Sequence, residues 1–324
     1  MIKDLALEQV VGDHHALGTS ITLQIFGTQN RDLLQKSFDL IDHYEDIFTV
    51  NRDESEVMDI NHAAGEHPVQ VSSAVYGLVK LAVEKSRENF GFNALIGPVV
   101  KLWHIGFKGA HVPKDEEIKD RMLLTDPFKV VLNDSDQSVF LKMKGMELDL
   151  GGIAKGWIAD RIRDLWRAYG VEAGIINLGG NILLVGDSPK RISGQWSIGV
   201  QDPKQPRGDN ITSVMVPECS AVTSGTYERY LVVNGKKYHH LIDPRTGYPV
   251  KTDLAGVTTF TKTSVEAEIE CKRLFFAGKP LKGWHDNPDR IGAIFVYNDE
   301  PVSYTHLTLP TIHVECRSRW SPYH

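Results

Sequence analysis

The sequence predicts an α+β protein, with mixed or antiparallel sheets and helices packed against them. Three observations carry this. Apolar segments at 174–178 and 182–185 flank Gly179-Gly180, and segments at 230–233 and 237–242 flank Asn234-Gly235; strand periodicity on both sides of such turns is the signature of hairpins. Strands and helices are interleaved, and such a mixture of hairpins and helices argues against a doubly wound parallel sheet. No repeat or low-complexity linker divides the chain, so residues 1–300 are expected to form one domain.

Taken in order, 20–26 alternates after the Gly18 turn and reads as a strand. Residues 31–48 place Leu33, Leu34, Phe38, Ile41, Tyr44 and Phe48 at helical spacing. A second helix is expected over 75–90, after the N-cap candidates Ser72 and Ser73. Residues 147–150 read as a short strand running into Gly151-Gly152. The clearest helix spans 153–169, with Ala154, Ile158, Ile162, Leu165 and Tyr169 on one face and Gly170 as its stop. After the two hairpins, 264–276 is helical, and 203–210 reads as a polar surface loop. Residues 301–324 lack a clear period. Within them 303–312 resembles translated sequencing-adapter sequence, so this tail is expected to be atypical and to replace a natural C-terminus.

The chain has 324 residues, 41% hydrophobic and 24% charged, the profile of a water-soluble globular protein with a sizeable core. A net charge of -6 gives no electrostatic reason to expect nucleic acid as partner. Three cysteines, Cys219, Cys271 and Cys316, form no CxxC pair, so neither a zinc site nor a disulfide framework is supported. Charges interrupt the N-terminus before an apolar run forms, and no stretch approaches the roughly 18 apolar residues of a membrane span, so the expected location of this form is cytoplasmic.

Three clusters hold the candidate chemistry. In the first, Asp149-Leu-Gly-Gly-Ile-Ala-Lys155-Gly runs from a strand end through paired glycines into a helix bearing Lys155 in its first turn. Glycines admit close backbone approach, and a helix N-terminus favours phosphate. The plainer reading is a tight turn with a surface lysine, and the string is neither a P-loop nor a GxGxxG motif. The second runs from Thr223 through Tyr227 and Arg229, then from Tyr238-His239-His240 to Asp243-Pro-Arg245-Thr-Gly247. Histidine titrates near neutrality, and Arg229 and Arg245 are candidates for bidentate phosphate binding; the plainer reading is a hairpin with a structural turn. In the third, Glu268 and Lys272 are four apart and share a helix face, as a surface ion pair would; alternatively Glu268 offers a hard oxygen to magnesium, or Lys272 a fixed cation to phosphate.

At these clusters the sequence resembles the ApbE family of FAD:protein FMN transferases, from about residue 18 to residue 296. Leu17-Gly18-Thr19, the stretch from Phe48 to Asn61, Phe92-Asn93-Ala94-Leu95-Ile96-Gly97-Pro98, Asp149 to Gly156, Asn177-Leu-Gly-Gly-Asn181, Ser224-Gly225-Thr-Tyr227-Glu-Arg229 and His239-His240-Leu-Ile242-Asp243-Pro244 match the family's strings in family order. The resemblance implies a T-fold-related single domain that binds FAD centrally. It implies transfer of the FMN half of FAD, through a phosphoester, to a Thr or Ser of an acceptor redox protein, with AMP released. It places Leu17, Asn51, Asn93, Ala94, Leu95, Ile96, Asp149, Lys155, Arg229 and Ile242 at the flavin nucleotide. It makes His240, or its neighbour His239, the base for the acceptor hydroxyl, and puts Gly152 (through its carbonyl) and Glu268 at a magnesium ion. Relatives are often exported or membrane-associated.

Family members commonly carry Asp and, four residues on, Thr at the late-helix metal position; this chain has Glu268 and Lys272. A charged lysine cannot ligate magnesium. Two readings stand open: Glu268 and the Gly152 carbonyl hold the ion with water completing its shell, or the Lys272 ammonium takes the cation's place. Asn51 stands where many relatives have a larger residue, which leaves FAD hydrolysis to FMN and AMP as an alternative activity, and non-catalytic FAD binding as a third.

Overall fold

The computed structural model describes residues 8–206, 208–298 and 303–305. The elements in chain order are β1 (Gln9–Ala16), β2 (Thr19–Phe26), α1 (Asp32–Phe48), α2 (Glu56–His62), β3 (Val69–Gln70), α3 (Ser73–Arg87), α4 (Gly97–Trp103), α5 (Asp115–Met122), β4 (Val130–Asn133), β5 (Ser138–Leu141), α6 (Ala154–Ala168), β6 (Gly174–Leu178), β7 (Asn181–Val185), β8 (Trp196–Gln201), β9 (Asn210–Val216), β10 (Ser220–Gly225), β11 (Tyr230–Val233), β12 (Lys236–His239), β13 (Leu254–Thr261), α7 (Ser264–Ala277), β14 (Arg290–Tyr297) and β15 (Ser303–Thr305). An eight-stranded sheet in the order β1-β2-β6-β7-β10-β13-β14-β15 forms the centre. Its neighbouring strands run antiparallel throughout, as the hairpin pattern predicts.

The two faces of this sheet are covered differently. Ile21, Leu23, Ile25, Ile176 and Leu178 turn towards α1, α3 and α6, where Phe38, Ile41, Val79, Ile158, Ile162 and Trp166 complete the largest core cluster. Phe26, Leu184, Ala221, Phe260 and Ile294 turn the other way, against Trp196, Ile198, Val200, Val214 and Val216 of the β8–β9 hairpin. Strand β13 is therefore buried along its whole length, with α7 on one face and β8–β9 on the other. That explains its apolar and threonine run without polar alternation, a pattern that conceals a strand from period counting.

Local signals place the helices that carry the site. Helix α6 ends at Gly170 (φ 75), with Val171 N–H donating to the Trp166 carbonyl and Gly170 N–H to that of Arg167, both bonds of a Schellman cap. The turns at Leu17-Gly18, Gly179-Gly180 and Asn234-Gly235 all hold two successive residues at positive φ, as tight antiparallel hairpins require. The stretch 147–150, expected as a strand, has no strand beside it. Asn61 takes the place of one: its side chain donates to Leu148 O at 3.0 Å and accepts from Leu148 N at 2.7 Å, while Asp149 N–H donates to Ala94 O at 2.7 Å. The strand expected over 237–242 stops at His239, and Ile242 bridges back to Pro249 instead. Cys219 and Cys271 are buried free thiols, while Cys316 lies outside the described residues. So does the expected atypical tail, apart from the short strand β15, which adds to the sheet edge beside β14. Among the described residues no helix is long and apolar enough to cross a membrane.

Candidate active site

The site forms where the start of α6, the middle of α7 and the end of the β11–β12 hairpin meet. The approach of α6 to α7 depends on Gly156: a Cβ there would lie 2.4 Å from Ser264 O and 2.9 Å from Glu268 Cγ. The start of α7 has no cap of its own. Asp160 of α6 supplies one, accepting from Ser264 N and Val265 N at 2.9 Å each. One carboxylate thus fixes the rotation of α7 against α6, and with it the direction of Glu268 and Lys272.

Glu268 and Lys272 do not form a surface pair. Their side chains are 7% and 16% exposed, and Lys272 Nζ lies 2.9 Å from Glu268 Oε2. The ammonium also donates to the Gly152 carbonyl at 2.6 Å and to the Glu268 carbonyl at 3.1 Å. The other Glu268 oxygen, Oε1, accepts from Asn181 Nδ2 at 2.9 Å, and Asn181 Oδ1 accepts from Ser264 Oγ at 2.7 Å. Burial pushes the Glu268 carboxyl up, but Lys272, Lys155 and the Asn181 bond outweigh it and hold the group below the usual carboxylate range. Lys155 stands in the first turn of α6, where the helix dipole disfavours a cation; Glu268 supplies the compensating charge. A Cβ at Gly152 would press on the lysine, lying 3.2 Å from Lys272 Cε and 3.4 Å from the Phe92 ring.

Asp149 closes the same turn. Its Oδ1 accepts from Gly151 N at 2.8 Å, and burial raises its carboxyl against the pull of that bond and of Lys101. Its backbone bond to Ala94 brings the 93–96 turn alongside. Asn93 shapes that turn by accepting from Leu95 N and donating to Thr125 O, both at 2.8 Å. The Ala94 and Leu95 side chains are fully buried in the core, so contact with a ligand from this turn falls to main-chain atoms, Asn93 and Ile96. Ile96 and Ile242 share a small apolar cluster with Val99 and Trp103. Leu17 packs on the main core at the β1–β2 turn, beside the Gly179 turn that Thr19 touches. Asn51 is exposed in the loop between α1 and α2, its backbone N–H bonded to Thr49 Oγ1.

The two histidines differ sharply. His239 is buried, with Nε2 2.9 Å from Val250 O and Nδ1 accepting from Leu241 N at 3.2 Å, so both ring nitrogens are engaged by backbone. His240 directs Nδ1 at Arg229 O, 3.1 Å away, so Nδ1 carries the hydrogen and Nε2 the lone pair. Burial pushes the His240 imidazole down to about 4; the Arg229 carbonyl opposes this, and the Arg229 and Lys272 cations reinforce it. The hairpin end rests on the helix that carries Lys272: the His239 ring lies edge-on to Phe275 of α7 with 6.0 Å between centroids, and Leu241 shares an apolar cluster with Leu274 and Phe275.

The Arg245 guanidinium is paired with Asp243. Its Nε and Nη2 bind Asp243 Oδ1 and Oδ2 at 3.0 and 2.8 Å, within a turn whose Gly247 carbonyl accepts from the Trp103 indole at 2.8 Å. That segment is a structural turn tying the hairpin to α4. Glu266 and Glu270 face away from Glu268, into an ion network with Arg273 and Arg290. Asn181 and Asp160 are the polar residues whose roles the sequence does not disclose. Asn181 lies within a motif string but without an assigned partner, and Asp160 is one of the two acids on α6.

This α+β scaffold gathers two lysines, a buried carboxylate and a glycine turn beside a histidine-bearing hairpin, groups of the kind an enzyme uses on an anionic substrate. Residues 17–295 match the ApbE family model, and the chain belongs to the ApbE family. It is 44% identical over 289 residues to an FAD:protein FMN transferase of Klebsiella pneumoniae (strain 342), with 88% of each chain covered. It is 34% identical to an FAD:protein FMN transferase of Treponema pallidum (strain Nichols), covering 83% of this chain and 78% of that one. Among solved structures, the ApbE protein of Thermotoga maritima superposes with a TM-score of 0.82 at 27% identity, covering 93% of this chain and 98% of that one.

Proposed function

We propose that this chain is an FAD:protein FMN transferase. The observation that carries the reading is the 44% identity, over 88% of both chains, to a relative of that name. The site supports it. The hydroxyl oxygen of an acceptor Thr or Ser attacks the FMN-side phosphorus of FAD. The bond from that phosphorus to the bridging oxygen breaks, AMP leaves, and the hydroxyl proton passes to His240 Nε2. His239, with both nitrogens bound to backbone, positions the hairpin rather than taking the proton. Lys155 and Arg229 supply positive charge for the pyrophosphate, and the 93–96 turn, Asp149 and Ile242 line the path of the nucleotide.

Magnesium does not fit the residues present. The two oxygens that would hold it, Gly152 O and Glu268 Oε2, are both bonded to Lys272 Nζ, and an ammonium and a divalent ion repel at that range. Among the described residues, no three His, Cys, Asp or Glu side chains gather as a metal site.

The test is mass spectrometry of a candidate acceptor domain after incubation with FAD and this protein. An FMN adduct on a Thr or Ser, with AMP released in equal amount, is the expected result. AMP release at the same rate without acceptor would instead make the chain an FAD hydrolase. FAD retained with neither product would make it a flavin-binding protein.

A further inference from the structure

We infer that Lys272 is a built-in replacement for a divalent cation, so that this chain holds FAD and turns it over without bound metal; the turnover half of this rests on the transferase reading, the metal half does not. The Lys272 ammonium joins two elements from distant parts of the sequence, the Gly152 turn and α7. Its three protons meet three acceptors: Gly152 O at 2.6 Å, Glu268 Oε2 at 2.9 Å and Glu268 O at 3.1 Å. A cation shared between a backbone carbonyl and a carboxylate is the bridge a metal would make there, with the charge held by a covalent tether.

The surroundings are built for this cation. Glu268 is fixed from its other side by Asn181, which is fixed in turn by Ser264, so the carboxylate keeps one oxygen aimed at Nζ. Gly152 carries no side chain to push Lys272 Cε away. The longest bond, to a helix carbonyl that already accepts along α7, is the one a phosphate oxygen would exchange with at least cost. Lys155, in the adjoining turn, adds the second positive charge that a divalent ion would have brought.

Three measurements test the inference. Calorimetric titration of the flavin-free protein with Mg2+ is expected to show no binding up to millimolar concentration; micromolar Mg2+ binding would overturn the inference whatever the enzyme's reaction. FAD affinity, read by flavin fluorescence, is expected to be the same within twofold in EDTA and in excess Mg2+. A tenfold or larger dependence on Mg2+ would overturn it. Lys272→Thr is expected to bind FAD at least tenfold more weakly in EDTA and to regain affinity with Mg2+. Unchanged affinity in EDTA would show that the ammonium does not do the cation's work. Should Lys272→Thr fail to fold with Glu268 left unpaired, the double variant Glu268→Gln with Lys272→Met removes both charges. It is expected to lose FAD affinity at least tenfold with no recovery in Mg2+, and retention of affinity would sink the proposal. Metal-independent FAD binding with no FMN transfer would leave the inference about Lys272 standing and remove the transferase reading.

Discussion

Replacing His240 with alanine should lower the rate of FMN transfer by about 100- to 10,000-fold, or about 3 to 5 kcal/mol of transition-state stabilisation, the usual contribution of a positioned base. The structure also fixes where in pH that contribution appears. Burial holds the imidazole at about 4, against 6.5 for an ordinary histidine. At about pH 5.5 a base with the lower value is about 97% neutral, while one with the ordinary value is about 9% neutral, so the rates differ roughly tenfold. The assay is kcat/KM for FMN transfer to an acceptor domain, measured across pH 4–8 in the parent and in His240→Ala. The acid limb of the parent should fall near 4 and vanish in the variant. An acid limb near 6.5, or the same profile with and without the histidine, would remove His240 as the base.

The remaining predictions concern the supports of the site. His239→Ala strips a hydrogen-bond partner from Val250 O and from Leu241 N, so it should cost about 1–3 kcal/mol in denaturant unfolding yet leave the acid limb of the rate profile in place. Asn181→Ala leaves Glu268 Oε1 without its donor and should cost a similar amount, about 1–3 kcal/mol, with weakened FAD binding in fluorescence titration; full affinity would show that Glu268 needs no such orientation. Gly156→Ala forces a methyl group to within 2.4 Å of Ser264 O, so α6 and α7 must part; a loss of about 1–3 kcal/mol and of most activity is expected. Two groups also make stability fall in acid. The folded values of His240 and Glu268 lie below their ordinary ones, so the native state binds fewer protons than the unfolded chain. Their contributions are whole above the ordinary values and are lost as pH falls through the folded ones, for His240 between 6.5 and about 4. Thermal melts should show that decline, and His240→Ala should flatten its upper part.

Much of the scaffold is legible in the sequence because its signals are local. The α6 stop is a single glycine in a left-handed conformation, and the hairpins follow from paired turn residues, so both can be read from a few adjacent letters. Strands β13 and β14 are not legible, since burial on both faces erases the alternation that marks a strand. The stretch 147–150 misleads for the opposite reason: its letters suit a strand, but its partner is the side chain of Asn61, 87 residues away in sequence.

By itself the sequence determined the fold class, the family and the three clusters that carry the chemistry, because residue type and short spacing suffice for those. It also left the metal question open between two readings, since i,i+4 spacing states only that Glu268 and Lys272 are neighbours. The tertiary structure alone decided where the lysine's protons go, which histidine keeps a lone pair, and that Arg245 is spent on Asp243. Each of those outcomes depends on acceptors set by the packing of helix against helix and hairpin against sheet. Hydrogen bonding is satisfied or denied within a few tenths of an ångström, a distance that chain order does not encode.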